Sequence, residues 1–369
     1  MAALLGVPDA ADTLGLTASL ADADGIDRVL VLLIDGLGWH HLPALTDDCP
    51  LLAAVSAGSV GRMSRLRCTF PSTTPTSLVS LGTGTPPGQH GILGFTLAIP
   101  GTDQVLKHIT WSGEPAPQHW QPVPTWFERA NRAGIDARAL LPAAYAGSGL
   151  TNAAYRGSRF LPVRSGDDYA ALLVENLESG PGLVFGYLAD LDTASHLCGV
   201  GSGPWHEAAR RIDTLLQRVV ERLPATAALV VTADHGGVNV PAQARLDIAD
   251  DPRLSTHVRV VAGEPRVRYL YTAPGAAAEV AATWQEVLGD RAQVLLRADA
   301  IDAGLFGPVH PRNVARLGDV VVTCTNTGLI FASNHEPPEV TRLIGFHGGT
   351  TDAEMDIPLI VVPGAAATG

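Results

Sequence analysis

Four continuous runs of apolar residues are the clearest structural signal in the chain. They lie at 28–34, 182–188, 227–233 and 357–362, each bounded by polar segments. A short apolar run without polar alternation is typical of a strand buried on both faces, as in a parallel sheet. The pattern therefore predicts four buried parallel strands.

Amphipathic segments lie between these runs. A helix is predicted over 205–223, ended by Pro224, and another over 124–134, closed by Gly134. The apolar face of the first helix comprises Ile212, Leu215, Leu216, Val219, Val220 and Leu223. Strands that alternate with helices predict an α/β fold with a mostly parallel central sheet flanked by helices.

The segment 241–340 has a different pattern. Apolar strands are predicted at 258–263, 267–273 and 292–298, around one helix at 276–289. This pattern is typical of a small α+β unit. We therefore expect a catalytic α/β core formed by 1–240 plus 341–369, with 241–340 inserted as a cap region.

Composition narrows the classes of function. The 369 residues are 46% hydrophobic, and the formal net charge of -12 argues against a nucleic-acid-coating surface. No apolar run approaches the roughly 18 residues that a membrane span needs. The first residues lack a basic segment and carry Asp9 and Asp12, so no export signal is predicted and a cytoplasmic location is expected.

Acidic and histidine side chains follow the predicted strands. Asp35 ends the first strand, and Asp234 with His235 follows the third, before two glycines that permit a turn. Ligands of open α/β sheets bind at the carboxyl ends of strands. We therefore expect these three side chains to share one crevice.

Two further segments supply candidate metal ligands. Asp192 and His196 are four residues apart, so one helical turn would place both on the same face, although Asp190 could replace Asp192. His347 precedes the last strand. Carboxylate and imidazole ligands together suit zinc or another borderline divalent ion.

A hydroxyl at a predicted helix N-terminus completes the set. Thr73 and Thr74 precede Pro75, which is a signature of a helix start, with Pro75 expected at the first helical position. The positive end of the helix dipole favours anions and would help an alkoxide.

The ordered motifs IDG, FPSTTPTSLVSLGTGTPPGQHGILG, DLDTASH, TADHGG and FHGG resemble the alkaline phosphatase superfamily, and within it the type I phosphodiesterase/nucleotide pyrophosphatase family. The resemblance implies two divalent metal ions, zinc first and Mn²⁺ or Fe as alternatives. One ion would be held by Asp35, Thr74, Asp234 and His235, and the other by Asp192, His196 and His347. Thr74 would be the nucleophile, by its spacing to the LGTG motif, with Thr73 as runner-up and Thr69 five residues too early.

Two positions depart from the family pattern. Pro75 stands where nucleotide pyrophosphatases tend to carry an aromatic residue, and Ser77 stands where they use an Asn to hold the phosphate. Ser77 is therefore the implied substrate-binding residue, and specificity for nucleotides is left open.

The implied activity is two-metal hydrolysis of a small-molecule phosphodiester or pyrophosphate through a phosphothreonine intermediate. Phosphomonoesterase or phosphonate hydrolase activity on the same scaffold is the alternative. A sulfatase is disfavoured because CTFPS (68–72) lacks the motif's Arg, and the loop 82–91 lacks the Lys of a P-loop. A non-enzymatic, metal-stabilised binding protein is disfavoured because Thr74 is present.

The 241–340 region is expected to cover the site and to select the substrate. The candidate lining residues are Tyr269, Tyr271, His310, Trp111 and Tyr145.

Overall fold

A computed structural model of the protein describes residues 1–20 and 25–364. In chain order its strands are β1 (Arg28–Ile34), β2 (Arg62–Arg67), β3 (Thr96–Ala98), β4 (Val105–Lys107), β5 (Asp136–Pro142), β6 (Arg159–Val163), β7 (Gly182–Leu188), β8 (Ala227–Thr232), β9 (Val238–Asn239), β10 (Arg245–Asp247), β11 (Val258–Glu264), β12 (Val267–Thr272), β13 (Ala292–Leu296), β14 (Val320–Cys324), β15 (Leu329–Phe331), β16 (Gly345–Phe346) and β17 (Asp356–Pro363).

The α-helices lie between these strands and are numbered in the same way. They are α1 (Leu16–Ser19), α2 (Pro50–Ser56), α3 (Thr74–Thr83), α4 (Pro87–His90), α5 (Pro117–Trp120), α6 (Trp126–Arg132), α7 (Gly149–Tyr155), α8 (Tyr169–Glu178), α9 (Asp190–Cys198), α10 (Gly203–Glu221), α11 (Ala277–Leu288), α12 (Arg297–Asp302), α13 (Pro311–Val314) and α14 (Asp352–Met355).

The central sheet confirms the predicted fold class. Within the described residues it has seven strands in the order β2-β17-β8-β1-β7-β5-β6. β1 lies between β7 and β8 and pairs in parallel with both, and β5 pairs in parallel with β6 and β7. Separate apolar clusters cover the two faces of the sheet, which explains why its central strands are apolar throughout.

The direction predicted for the last strand is wrong. The run 357–362 does form a buried strand, but β17 pairs antiparallel with both β8 and β2. A strand covered on both faces has the same apolar pattern in either direction, so the pattern could not show its direction. The reversal places the beginning of β17 beside the carboxyl ends of its neighbours.

The predicted helices are present with small shifts at their ends. The helix predicted over 205–223 is α10, capped by the Ser202 side chain, and it ends at Glu221, before Pro224. The helix predicted over 124–134 is α6, where Thr125 and Glu128 form a capping box. Cap geometry, rather than the limits of the apolar pattern, determines where these helices begin.

A second sheet lies within the segment 241–340. Its order is β11-β12-β14-β13, all pairs are antiparallel, and α11 packs against it around the buried Trp284. The strands and helix predicted for this segment are present as β11, β12, β13 and α11, whereas β14 was not predicted. The division of the chain into a core and an inserted cap region stays a prediction.

Among the described residues, no helix combines the length and the apolar character that crossing a bilayer requires.

Candidate metal centre

The carboxyl ends of three adjacent strands form the base of the site. Asp35 follows β1, α9 begins just after β7, and Asp234 with His235 follows β8. Because β1 lies between β7 and β8 and runs parallel to both, these three strand ends meet at one edge of the sheet. His235 Nε2 lies 3.5 Å from both Asp35 Oδ1 and Asp234 Oδ2.

His347 lies at the same edge of the sheet because the strand that follows it, β17, runs antiparallel to its neighbours. It precedes β17, whose first residues pair with the last residues of β2. An antiparallel bridge between Ser72 and Gly348 fixes the segment around His347. The His347 ring stacks on His235 with 3.6 Å between ring centroids, so residues far apart in the chain are in contact.

Helix α9 supplies the remaining pair. His196 Nε2 lies 3.1 Å from Asp192 Oδ2, as expected for residues one turn apart. Asp192, His196 and His347 offer ligand atoms that all lie within 4.8 Å of one another. Asp190, the alternative to Asp192, is largely exposed and lies near Arg211 outside this group.

Close backbone approach makes this convergence feasible. Gly36 has a φ of 75°, and a Cβ there would lie 3.0 Å from the Asp192 Cβ. At Gly236 a Cβ would meet the Ala353 carbonyl oxygen at 2.0 Å. The glycines after the two strands therefore let the turns pack directly against α9 and against the segment before β17.

The structure separates the three candidate threonines. Helix α3 begins at Thr74, so Pro75 is its second residue, one position later than predicted. Thr74 Oγ1 lies 3.2 Å from His235 Nε2, in the cluster of ligands. Thr69 Oγ1 instead contacts Ser77 Oγ at 2.9 Å.

Thr73 is the N-cap residue of α3 and is fully buried. Its hydroxyl has no hydrogen-bond partner among the described residues. Of the three threonines, only Thr74 hydrogen-bonds to the side chain of a predicted ligand within the described residues.

Ser77 lies beside the cluster with its hydroxyl already engaged. Its Oγ donates a hydrogen bond of 2.7 Å to the main-chain oxygen of Asp234, and the residue is buried. A serine hydroxyl has a single proton to donate. The predicted contact between Ser77 and a phosphate stays a prediction, and it requires the hydroxyl to rotate away from Asp234.

The three histidines of the cluster share one arrangement of their ring nitrogens. Nδ1 of His196, His235 and His347 lies 2.8–2.9 Å from the main-chain oxygen of Gly345, Gly236 and Ser72, respectively. A carbonyl oxygen only accepts, so each Nδ1 carries the proton. In a neutral ring, Nε2 then presents a lone pair to the cluster, which is the state of a metal ligand.

Buried acceptors face one another around His235. Asp35 Oδ1 and Asp234 Oδ2 have no hydrogen-bond partner among the described residues, and both side chains are buried. Burial, with the charges of Asp234 and Asp192, raises the pKa of Asp35 well above its ordinary value. These carboxylate oxygens and the lone pair of the His235 ring face one another with no hydrogen-bond donor between them. A bound cation would satisfy all of them.

The ionisation of the α9 pair leads to the same conclusion. Burial alone would raise the pKa of Asp192, but the charge and hydrogen bond of His196 hold it below its usual range. Burial lowers the pKa of His196, whereas Asp192 outweighs this effect and raises it to about 9. Without metal, the Asp192 carboxylate is thus neutralised by the protonated imidazole of His196. A divalent cation that binds both side chains would displace that proton.

Two residues that contact the site were not predicted. The Tyr187 hydroxyl donates a short hydrogen bond to Asp35 Oδ2. The Glu264 carboxyl lies 3.8 Å from His347 Nδ1, and burial raises the pKa of Glu264 to about 8. Tyr187 lies within a predicted strand, where a tyrosine is usually a packing residue, so the sequence carried no signal for either contact.

Four of the five residues that were expected to line the site make their contacts elsewhere in the structure. Tyr269 is fully buried and donates to the Leu93 oxygen, and Tyr271 donates to the Arg316 oxygen. His310 caps α13, and Trp111 is a buried packing residue. Tyr145 alone of the five lies near the cluster, with its ring 6.0 Å from that of Tyr187.

The fold is shared with solved structures of low sequence identity. Murine ectonucleotide pyrophosphatase/phosphodiesterase 5 gives a TM-score of 0.72 at 18% identity, covering 90% of this chain and 87% of that chain. An inactive threonine-to-alanine variant of that murine protein, in complex with AMP, gives 0.71 at 17% identity with the same coverage. Phosphonoacetate hydrolase from Sinorhizobium meliloti 1021, in complex with phosphonoacetate, gives 0.68 at 20% identity, covering 93% of this chain and 92% of that chain.

No curated protein sequence matches the chain significantly. The family model for type I phosphodiesterase / nucleotide pyrophosphatase matches residues 29–350, which include every residue of the cluster. With its neighbours in the alkaline phosphatase superfamily, this match confirms the family inferred from the ordered motifs. The chain therefore belongs to the type I phosphodiesterase / nucleotide pyrophosphatase family, whose members hydrolyse phosphodiester or pyrophosphate bonds.

Proposed function

We propose that this protein hydrolyses phosphodiester or pyrophosphate bonds with two divalent cations and with Thr74 as the nucleophile. The observation that carries the proposal is the position of the Thr74 hydroxyl. It lies at the N-terminus of α3, 3.2 Å from His235, beside two groups of residues able to hold a metal ion.

The family resemblance divides the residues between two metal sites, and Asp192 also lies within 4.8 Å of the ligand atoms of Asp35 and His235. Asp35, Thr74, Asp234 and His235 would hold one cation, and Asp192, His196 and His347 would hold the other. The mixture of carboxylate oxygens and imidazole nitrogens favours Zn²⁺, with Mn²⁺ or Fe as alternatives. The cations would stabilise charge on the phosphoryl oxygens and lower the pKa of the nucleophilic hydroxyl.

The side chains then perform an in-line displacement. Thr74 Oγ1 gives its proton to solvent water and attacks phosphorus, and the leaving-group oxygen departs from the opposite side with the bonding electrons and takes up a proton from water. The positive end of α3 stabilises the negative charge on the threonine oxygen before attack. A water oxygen then attacks phosphorus, the bond from phosphorus to Thr74 Oγ1 breaks, and a proton of that water returns to Oγ1 as phosphate is released. The inactivity of the threonine-to-alanine variant of the murine structural neighbour supports a threonine in this role.

Phosphonate hydrolysis is the second candidate. The fold of phosphonoacetate hydrolase, solved with phosphonoacetate, matches this chain over 93% of its length. Pro75 and Ser77 depart from the nucleotide pyrophosphatase pattern, which weakens the case for a nucleotide substrate. Phosphonate and phosphomonoester hydrolysis therefore stay as alternatives. The cleaved bond must therefore be decided by comparing substrates.

A hydrolysis panel tests the proposed bond type. We expect the zinc-loaded protein to cleave bis(4-nitrophenyl) phosphate with a kcat/KM at least about tenfold above that for 4-nitrophenyl phosphate, 4-nitrophenyl sulfate or phosphonoacetate, a difference of about 1.4 kcal/mol in transition-state stabilisation. Thr74→Ala protein purified in parallel controls for contaminating phosphatases. Preference for phosphonoacetate would replace the proposal with phosphonate hydrolysis, and no cleavage of any substrate would indicate a binding protein.

A further inference from the structure

A groove of about 590 Å³ adjoins the metal centre. His196 and His347 line one end, so the groove starts at the proposed second cation site. Much of its wall is apolar, formed by residues such as Phe95, Val260 and Phe346. A group attached to a phosphorus atom at the metal centre would have room to extend into it.

The wall of this groove also contains the only lysine of the sequence. Lys107 is the sole lysine, and the other 24 of the 25 Lys and Arg residues are arginines. Its ammonium group lies 5.2 Å from the centroid of the Phe95 ring. Among the described residues it has no hydrogen bond or ion pair.

Local strand pairing fixes the hairpin that carries Lys107 against β11. Lys107 pairs with Thr96 across the β3–β4 hairpin, so the two side chains share one face of that hairpin. Thr96 Oγ1 donates to the Gly263 oxygen and accepts from the Gly263 nitrogen, both at 2.8 Å. The hairpin is thus bound to the end of β11, next to Glu264.

Both arginines of the groove are paired with carboxylates. Arg259 forms a short ion pair with Asp103, and Arg268 contacts Glu336 through two bonds of 2.6 and 2.7 Å. Glu264 faces His347 and is not within ion-pair distance of Lys107. Of the Lys and Arg side chains lining the groove, Lys107 alone lacks a carboxylate partner within the described part of the chain.

An unmatched cation in a mostly apolar groove is suited to an organic anion. We infer that the groove holds the leaving group of the substrate and that Lys107 pairs with a second anionic group on it. The substrate class is then a phosphate or phosphonate ester whose leaving group combines an apolar body with a carboxylate or phosphate. The inference rests on the proposed function, because only hydrolysis at the metal centre defines a leaving group.

Two matched substrates test the inference. Methyl 4-nitrophenyl phosphate and its 3-carboxy-4-nitrophenyl analogue differ only by one carboxylate on a chromogenic leaving group. We expect the zinc-loaded protein to favour the carboxylated ester by about tenfold or more in kcat/KM, chiefly through a lower KM, because a charge-assisted bond contributes about 1.5–3 kcal/mol.

Three variants identify the source of that preference. Lys107→Met should reduce the ratio between the two substrates to about one, whereas Lys107→Arg should keep most of it. Arg259→Met is the matched control, since it removes a groove cation that already has a partner, and it should preserve the ratio. A wild-type ratio near one, or a ratio that survives in Lys107→Met, would overturn the inference while the proposed function stands.

A binding measurement separates this inference from the proposed function. If the wild-type protein hydrolyses neither ester, the proposed function fails, and calorimetric titration with the two free phenols still decides the role of Lys107. We expect 5-hydroxy-2-nitrobenzoate to bind about tenfold more tightly than 4-nitrophenol to wild type, and no more tightly to Lys107→Met. Equal affinity for wild type, or a preference retained by Lys107→Met, would refute a role for the lysine. Thermal unfolding of each variant verifies that it is folded.

Discussion

Replacing Thr74 with alanine is expected to lower kcat by at least about a thousandfold, because removal of a nucleophile leaves only binding and electrostatic catalysis. The variant should stay folded, since Thr74 is the first residue of α3 and its side chain caps no helix. Steady-state kinetics with bis(4-nitrophenyl) phosphate and metal analysis of the same sample would measure both effects.

Thr73 provides the matched control for this prediction. It is the adjacent residue and is also buried, but within the described residues only Thr74 of the two hydrogen-bonds to His235. We expect Thr73→Ala to retain kcat within about threefold, less than 1 kcal/mol in activation free energy. If Thr73→Ala lost turnover and Thr74→Ala kept it, the nucleophile would be Thr73 and the mechanism would need revision.

Removal of metal is expected to abolish turnover and to destabilise the fold together. Asp35 and Asp234 are buried with unpartnered oxygens, so without cations their carboxylates are poorly compensated and the pKa of Asp35 is raised. Dialysis against a chelator should reduce activity below about a thousandth. It should lower the Tm by about 5 °C, because bound metal stabilises only the folded state.

Reconstitution distinguishes a specific effect from damage by the chelator. Adding Zn²⁺ back should restore both activity and Tm, and Mn²⁺ or Fe²⁺ should do so less completely. The Thr74→Ala variant should show nearly the same shift in Tm on chelation, because most of the ligands remain. Full activity after exhaustive chelation would contradict a metal-dependent mechanism.

Four of the seven strands of the central sheet were predicted because they are covered on both faces, whereas β2, β5 and β6 were not predicted. Burial forces β1, β7, β8 and β17 to be apolar throughout, and such runs stand out against polar connections. The edge strand β2, with the sequence RMSRLR, is partly exposed and carries three arginines. Its pattern resembles a polar connection, so it was not predicted.

The convergence of several candidate ligands was predictable for a topological reason. Parallel strands that are neighbours in the sheet bring their carboxyl ends together, so Asp35, Asp234 and His235 had to converge once β1 and β8 were adjacent. His347 could not be placed in this way. A parallel last strand would carry it to the opposite edge, and only the antiparallel pairing of β17 brings it to the cluster.

Contacts between side chains of distant segments could not be predicted from the sequence. The hydrogen bond from Tyr187 to Asp35 depends on how two adjacent strands are aligned. Glu264 reaches His347 only because β11 ends beside the metal centre. The expectation that Tyr269 and Tyr271 line the site was wrong for a related reason: their hydroxyls donate to the main-chain oxygens of Leu93 and Arg316.

Anomalous scattering from crystals of the zinc-loaded protein, recorded at the zinc absorption edge, tests the two-metal account most directly. The account predicts two peaks per chain, one among Asp35, Asp234, His235 and Thr74 and the other among Asp192, His196 and His347. Zinc bound elsewhere, or no peak at these seven side chains, would contradict it.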